Sequence, residues 1–446
     1  MKRNHQIIFS VLLVVFAFTT IVACLQFRRT QSVRSTFPDT LTYTSAAQAS
    51  LFSPKLWAGE RAPIYPLFIK LCRGNLTCIV RGQLLLSITC WAFLAFCCVY
   101  VLFSPLAKIL GFTLIQTLAL TPNVAMWHKV ILSESVSFSL MAACVGCWLL
   151  FAHRRRLFTT MLAVFTTAVW VGVRDTNAYL ALLLAASMFL ALVYQSMRIR
   201  MASRHITHPH IIAASALLLI LFVGSNLSSN RGQRWLAPFY NNMAQRIITN
   251  EASIHWFASR GMPSISVLKE RRWEKRDWVF EKDTELTGFR EWSRHHGKST
   301  YAKWLMLHPG YTFYEAMRKF AYIFDADISE YAPRDFRPVI LNPCAIRGLS
   351  ATVFFSFCLM GLLTCFCLWP MVLQSNTINV GVVTVPVFLF VSLMPQHIVV
   401  WHGDAMEIIR HSAQTVLQAK IALVLLIACA TDMAFILFNA RQGNRR

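Results

Sequence analysis

The chain has 446 residues, a formal net charge of +23 and 56% hydrophobic residues, yet only 14% charged residues, against about 25% in an ordinary soluble domain. That balance excludes a soluble globular enzyme, a disordered chain and a collagen-like fibre, and describes an all-α polytopic membrane protein. The excess of Lys and Arg therefore reports orientation and contact with anionic lipid headgroups, not nucleic acid.

A membrane span needs roughly 20 apolar residues. Ten candidates follow in chain order: 6–25, 83–103, 106–121, 133–152, 157–173, 178–195, 211–225, 349–370, 378–399 and 415–438. The basic start and Ile21-Val22-Ala23-Cys24 also fit a cleaved lipoprotein signal, but the run is long enough to span. With the N-terminus in the cytoplasm, the cytoplasmic pieces hold eleven Lys or Arg and no acid, and 19 of the 20 acidic residues fall on the other side. This asymmetry favours ten spans with both ends inside. The expected location is a bacterial inner membrane, with the protein multi-pass and its functional face periplasmic. The cationic first outer loop, with Arg28, Arg29, Arg34, Lys55, Arg61, Lys70, Arg73 and Arg81, runs against the rule unless that face handles an anionic lipid.

The organisation is then a membrane module over 1–225 with an outer loop at 26–82, a mostly helical outer domain at 226–347, and a second membrane module at 348–446. The tryptophans of the outer domain (Trp235, Trp256, Trp273, Trp278, Trp292, Trp304) recur among Arg and Lys, a pattern suited to helices lying on the membrane surface. Tyr311–Phe324 forms an amphipathic helix started by Pro309-Gly310, and Lys269–Glu285 a solvated one. Asn75-Leu76-Thr77 and Asn226-Leu227-Ser228 match the N-glycosylation pattern, which matters only in a eukaryote. Most of the thirteen cysteines sit in apolar runs as small hydrophobes. Cys72 and Cys78, in a polar loop, are candidates for a short disulfide.

Candidate chemical groups gather on the outer side. Phe37-Pro38-Asp39-Thr40-Leu41-Thr42-Tyr43 holds the first acid of the chain. Asp39 either caps the short helix expected over Leu41–Leu51 or acts as a general base at the membrane face. Arg61-Ala62-Pro63-Ile64-Tyr65-Pro66-Leu67 offers a cation for a phosphate, or for lipid headgroups, in a backbone stiffened by two prolines. Leu132-Ser133-Glu134 places an acid at the start of a span, where it suits the helix dipole or a functional mouth. Arg174 ends another span, beside Asp175. His402-Gly403-Asp404 and Glu407, Arg410 and His411 precede the last span, with Asp404, Glu407 and Arg410 at the spacing of one helix face. These residues do not have standard zinc spacing, so ligand spacing does not support a divalent metal, a question the sequence leaves open, and no cofactor is assigned. Only Asp432 stands out as an acid inside a span.

Together these pieces resemble the polytopic GT-C glycosyltransferases, in particular the protein O-mannosyltransferase and lipid A aminoarabinose transferase group. The resemblance rests on Asp39…Tyr43, Arg61–Leu67, the Leu-Ser-Glu at 132–134, the Arg ending a later span, and Gly403–His411. It covers roughly 30–200 and 395–420. Many relatives have Asp-Glu where Asp39-Thr40 stands here, so a two-carboxylate site is not implied. The resemblance implies transfer of a sugar, with inversion, from a polyprenyl-phosphate donor to a glycan, lipid or protein acceptor. Asp39 would be the base and Glu134 an orienting acid; Arg174, Arg410 and Arg61 would hold the donor phosphate; Tyr43, Tyr65, His402, Asp404, Glu407 and His411 would contact substrate. A lipid-linked glycan polymerase or ligase, and a multi-span transporter or flippase, are the alternatives.

Overall fold

A computed structural model describes residues 2–200, 209–271, 283–320, 323, 328–339, 356, 358–366 and 381–443. Among these there is no β-strand, only a single isolated bridge between Arg34 and Val130. The protein is an all-α polytopic membrane protein. Among the described residues, seven helices are long and apolar enough to cross a bilayer: Gln6–Arg29, Leu76–Val101, Glu134–His153, Asn177–Tyr194, Pro209–Arg231, Gly381–Gly403 and Ile408–Asn439.

The remaining three expected spans fare differently. The stretch expected at 106–121 is one arm of a bent pair, Pro105–Ala119 and Pro122–Lys129, which brings the number to eight if the pair crosses as one. It bends by 52° at Thr121-Pro122. Pro122 has no amide hydrogen and drives Thr121 into an extended conformation, so the helix cannot run through. The stretch expected at 157–173 is a 15-residue apolar helix, Leu157–Val171, about 22 Å long at helical rise and shorter than a hydrocarbon core. Most of 349–370 lies outside the described residues, as do most of the 196–210 connection, Trp273 and Trp278.

The Glu134–His153 helix is the axis of the bundle: 89% of its apolar window is buried. At about 30 Å it separates two faces. One, here the site face, carries Glu134; the other carries His153 and the cationic turn to Arg156. Asp432 lies at this second face and has a structural task. Its carboxylate accepts the amides of Phe103 (3.0 Å) and Ser104 (2.5 Å) at the start of the Pro105–Ala119 helix. The last span is thereby pinned to the 101–105 turn, which satisfies amides that a helix start leaves unpaired. Lys420, a buried cation that the sequence reading passed over, reaches Asn123 Oδ1 at 2.9 Å.

The segment after Arg231 packs on itself. It has its own core, in which Tyr240, Phe257, Phe289, Trp292 and Trp304 are buried together. The tryptophans alternate with Arg and Lys because each short helix shows one side to this core. Trp235 and Trp256 pack against its edge. The Tyr311–Phe324 expectation is met by a shorter helix, Pro309–Met317, with Pro309 at its first position. Of the solvated helix expected over Lys269–Glu285, the described part belongs to Ile265–Arg271 and a turn beginning at Thr284. Cys72 and Cys78 are both free thiols, one buried and one exposed. Cys24 lies within the first helix.

Replacing Asp432 by Ala strands the buried Ser104 amide, which costs about 1–3 kcal/mol when left unpaired, and the part-buried Phe103 amide. Thermal unfolding in detergent should show Asp432→Ala clearly less stable than wild type, with Asp432→Asn, which keeps an acceptor oxygen, between them.

Candidate functional site

Three local decisions of the sequence bring the polar residues of the site face together. The first is the pairing of the loop after the first helix with 129–131. The Arg34 amide donates to Lys129 O (2.9 Å) and the Ile131 amide to Arg34 O (3.0 Å). Thr40 Oγ1 then donates to Ile131 O (2.8 Å) and Tyr43 OH to Ser133 Oγ (3.1 Å). This lays the Pro38–Gln48 helix over the start of the Glu134 helix. The second is the contact of Ile64 N with Gly172 O at 2.9 Å. A Cβ on Gly172 would stand 2.6 Å from Ile64 Cγ1, so this approach needs glycine. The third is the turn at 404–407. Glu407 adopts φ +48°, a left-handed conformation that costs a non-glycine residue free energy and concentrates at functional sites.

Asp39 does not cap a helix. Phe37 occupies the cap position without a side-chain bond, Pro38 opens the helix, and Asp39 sits in its first turn. Its carboxylate is gripped from two sides, with Arg61 Nη2 2.6 Å from Oδ1 and Arg410 Nη2 2.6 Å from Oδ2. Burial works to raise the Asp39 carboxyl, but the charges of Arg410 and Arg61, each with a hydrogen bond, outweigh it and hold it well below the usual carboxylate range. Arg61 also donates to Thr42 Oγ1 (2.7 Å) and stacks over the Tyr43 ring at 4.8 Å. Desolvation raises the Tyr43 phenol, which stays protonated as the donor to Ser133.

Glu134 is 1% exposed. Its Oε1 is shared by Arg174 Nη1 at 3.3 Å and Arg410 Nε at 3.4 Å; its Oε2 is buried and accepts no hydrogen bond. Ser133 precedes it without capping. Arg410 completes its set with Glu407 at 3.0 Å. Arg174 does not pair with its neighbour Asp175, which is held by Arg234 at 2.8 Å. Instead Arg174 Nη2 donates to His411 Nδ1 at 2.8 Å. Because guanidinium only donates, Nδ1 is the acceptor, and the imidazole proton of a neutral His411 sits on Nε2, facing Asp404 Oδ2 at 3.7 Å.

Asp404 and Glu407 do not share a helix face with Arg410: the last helix begins at Ile408, and both acids belong to the turn before it. Asp404 Oδ1 accepts the Met406 amide (2.8 Å) and Asn241 Nδ2 (2.9 Å). Burial pushes its carboxyl up to about 6 despite those bonds. Burial likewise raises Glu407, against the pull of Arg410.

The structure thus brings Asp39, Tyr43, Arg61, Glu134, Arg174, Asp404, Glu407, Arg410 and His411 into one cluster. It leaves two expected residues out. Tyr65 is fully buried behind Tyr43, edge-on at 4.9 Å, and donates to Gln83 Oε1 at 3.0 Å. Its partner Gln83 donates in turn to His128 O and Val130 O, so Tyr65 steadies the 127–131 turn. His402 is buried against the segment after Arg231, where Nε2 donates to Thr312 O at 2.9 Å.

Several contributors carry no signal in the sequence. Arg246, buried in the outer domain, donates to Trp401 O and to Asn242 Oδ1 and stacks on the Trp401 ring at 4.6 Å. Asn242 donates to His402 O at 2.9 Å. One helical turn beneath the charges, Ser137, Asn177 and Gln414 form a buried ring of hydrogen bonds. Ser137 Oγ donates to Gln414 Oε1 (2.6 Å), Gln414 Nε2 to Asn177 Oδ1 (2.7 Å) and Asn177 Nδ2 to Ser137 Oγ (3.3 Å). Asn177 also donates to Trp170 O at 2.8 Å. Trp170 in turn borders an apolar cavity of about 580 Å³ that extends past Trp148 and Met188 to Arg155. Among the described residues, no group of three or more His, Cys, Asp or Glu is arranged to hold a metal.

No protein-family model matches this chain, and no curated protein matches it in sequence.

The raised Asp404 carboxyl gives a signed pH effect. An acid whose folded value lies above its unfolded value near 3.8 contributes stability that is fully present below that value and lost as pH rises through about 6. The melting temperature of wild type relative to Asp404→Asn should therefore fall as pH rises from about 4 to about 6 and stay constant above. A difference independent of pH across that window would show Asp404 titrating normally.

Proposed function

We propose that the chain is an integral-membrane glycosyltransferase that moves a sugar from a polyprenyl-phosphate donor to an envelope glycan, lipid or protein acceptor, with inversion. The observation that carries this reading is the convergence of one base candidate and three guanidiniums, from three distant parts of the chain, at the mouth of a helical bundle. Asp39, Arg61, Arg174 and Arg410 supply both things that sugar transfer from a lipid phosphate needs: an acceptor for a proton and cations for a departing phosphate.

In this reading the acceptor hydroxyl attacks the anomeric carbon, and its proton passes to Asp39. The bond from that carbon to the phosphate oxygen breaks on the opposite side, and Arg174, Arg410 and Arg61 take up the negative charge of the lipid phosphate. Without donor, the two guanidiniums that grip Asp39 make it a poor base. A phosphate drawing Arg410 and Arg61 toward itself releases the carboxylate, so donor binding and base strength rise together. Glu134 Oε2, a buried acceptor with no donor, suits a sugar hydroxyl. The cavity that begins at Trp170 has the size and apolar lining for part of the polyprenyl chain.

The same reading sets the topology at ten spans, with the N-terminus, His153–Arg156 and the C-terminus in the cytoplasm and the site face periplasmic. The eleven-to-none charge count supports it, and internal use of the first loop's cations eases the conflict there. Arg61 serves Asp39, Lys70 donates to Ala47 O and Ala49 O, and Arg34 donates to Glu330 O and Ala332 O.

Asp39→Asn keeps the shape but cannot take a proton. Sugar transfer should fall by roughly 100-fold or more at normal expression and membrane insertion, read as sugar transferred from a polyprenyl-phosphate donor. Arg174→Ala should cost about 100-fold as well, with Arg174→Lys recovering only part because it lacks the fork of a guanidinium. Normal transfer by Asp39→Asn would remove it as the base; normal transfer by Arg174→Ala would place the phosphate elsewhere.

A further inference from the structure

The elbow formed by the Lys298–Leu307 and Pro309–Met317 helices leaves large apolar side chains uncovered, although the domain that carries it has a complete core. Met306, Leu307, Phe313 and Tyr314 are each between 54% and 70% exposed. Single exposed apolar residues are ordinary, but four adjoining on one elbow mark a contact surface.

The hydrogen bonds of the opposite side of the second helix say what that surface meets. His402 Nε2 donates to Thr312 O at 2.9 Å, and His397 Nε2 donates to Ala316 O at 2.8 Å. Phe320 then packs against the His397 ring at 4.8 Å. As the chain advances from 312 to 316, its partner steps back from 402 to 397. The Pro309–Met317 helix thus runs antiparallel to the Leu393–Gly403 helix, toward the bilayer. His397 lies six residues inside the end of that span at Gly403, about 9 Å along it at helical rise. A helix bonded at that depth, with Ala316 buried against the span, turns Phe313 and Tyr314 toward whatever surrounds the span. Lys303 and Lys319 are exposed before and after the apolar residues.

We infer that this elbow is a membrane-docking element, seated in the leaflet of the site face, with Phe313 and Tyr314 among the acyl chains and Lys303 at anionic phospholipid headgroups. The depth of the His397 contact favours lipid over a soluble partner, and amphipathic helices with aromatic and basic residues bind this interface. Because His402 and Asp404 belong to the turn that this helix grips, the leaflet becomes part of what holds the site's outer wall. The inference is independent of the proposed chemistry.

The test uses the full-length chain in bilayers of phosphatidylethanolamine and phosphatidylglycerol. A photoreactive benzophenone amino acid replaces Phe313, or in a second protein Phe165, which is 66% exposed midway along the Leu157–Val171 helix. After illumination, adducts are read by mass spectrometry. Phospholipid adducts at both positions in comparable yield are expected. Lipid adducts at Phe165 with none at Phe313, or adducts at Phe313 to a second protein, would overturn the inference. Should the Phe313 protein fail to fold, the same replacement at Tyr314 carries the same two outcomes.

Discussion

One guanidinium facing three carboxylates holds the site together. Arg410 is only 5% exposed, lies in the first turn of the Ile408–Gly443 helix, and so has its charge at the positive end of a helix dipole, where a cation is disfavoured. It is tolerable there because Asp39, Glu134 and Glu407 all lie within 3.4 Å of it. Removing the buried Glu134 breaks its pairs with Arg174 and Arg410, commonly a loss of about 3–5 kcal/mol. The first loop, the central span and the last span are therefore held in register by one side chain. Arg174 extends the arrangement by sharing Glu134 Oε1 with Arg410, and His411 links it to the Asp404 turn.

That arrangement is built to be exchanged. Four carboxyls (Asp39, Glu134, Asp404, Glu407) meet three guanidiniums (Arg61, Arg174, Arg410), and burial raises two of the carboxyls. In the proposed reading an incoming phosphate competes for the same cations. Beneath, the ring of Ser137, Asn177 and Gln414 provides a neutral polar floor between the charges and the apolar cavity. The outer domain contributes through Asn241, Asn242 and Arg246, which fix the 401–404 turn.

The membrane class and the positions of most spans were legible in the sequence because a 20-residue apolar run has few other uses. The bend at Thr121-Pro122 was not, since it depends on one proline within an otherwise continuous apolar stretch. Asp39, Glu134, Arg174 and Arg410 were legible as polar residues at span ends. Their partners were not: Arg174 beside Asp175 reads as a local pair, and only tertiary packing sends Asp175 to Arg234. The spacing of Asp404, Glu407 and Arg410 fits a helix, but Glu407 in a left-handed conformation ends that reading. Tyr65 shows the limit most clearly. Its motif marks it as important, yet its partner is Gln83, eighteen residues on, and its place is in the packing behind the site. The tryptophans of the outer domain misled because amphipathic patterning does not tell a protein core from a lipid surface.

The central claim is that the guanidiniums of this site are there for a lipid phosphate. Binding of polyprenyl phosphate, the leaving group itself, to the wild-type chain in nanodiscs tests it most directly, with polyprenol of the same length as the comparison. The account predicts that the phosphate binds at least about tenfold more tightly than the alcohol, through charge-assisted contacts of a few kcal/mol, and that Arg174→Ala erases most of the difference. Equal binding of phosphate and alcohol by the wild-type chain would contradict it.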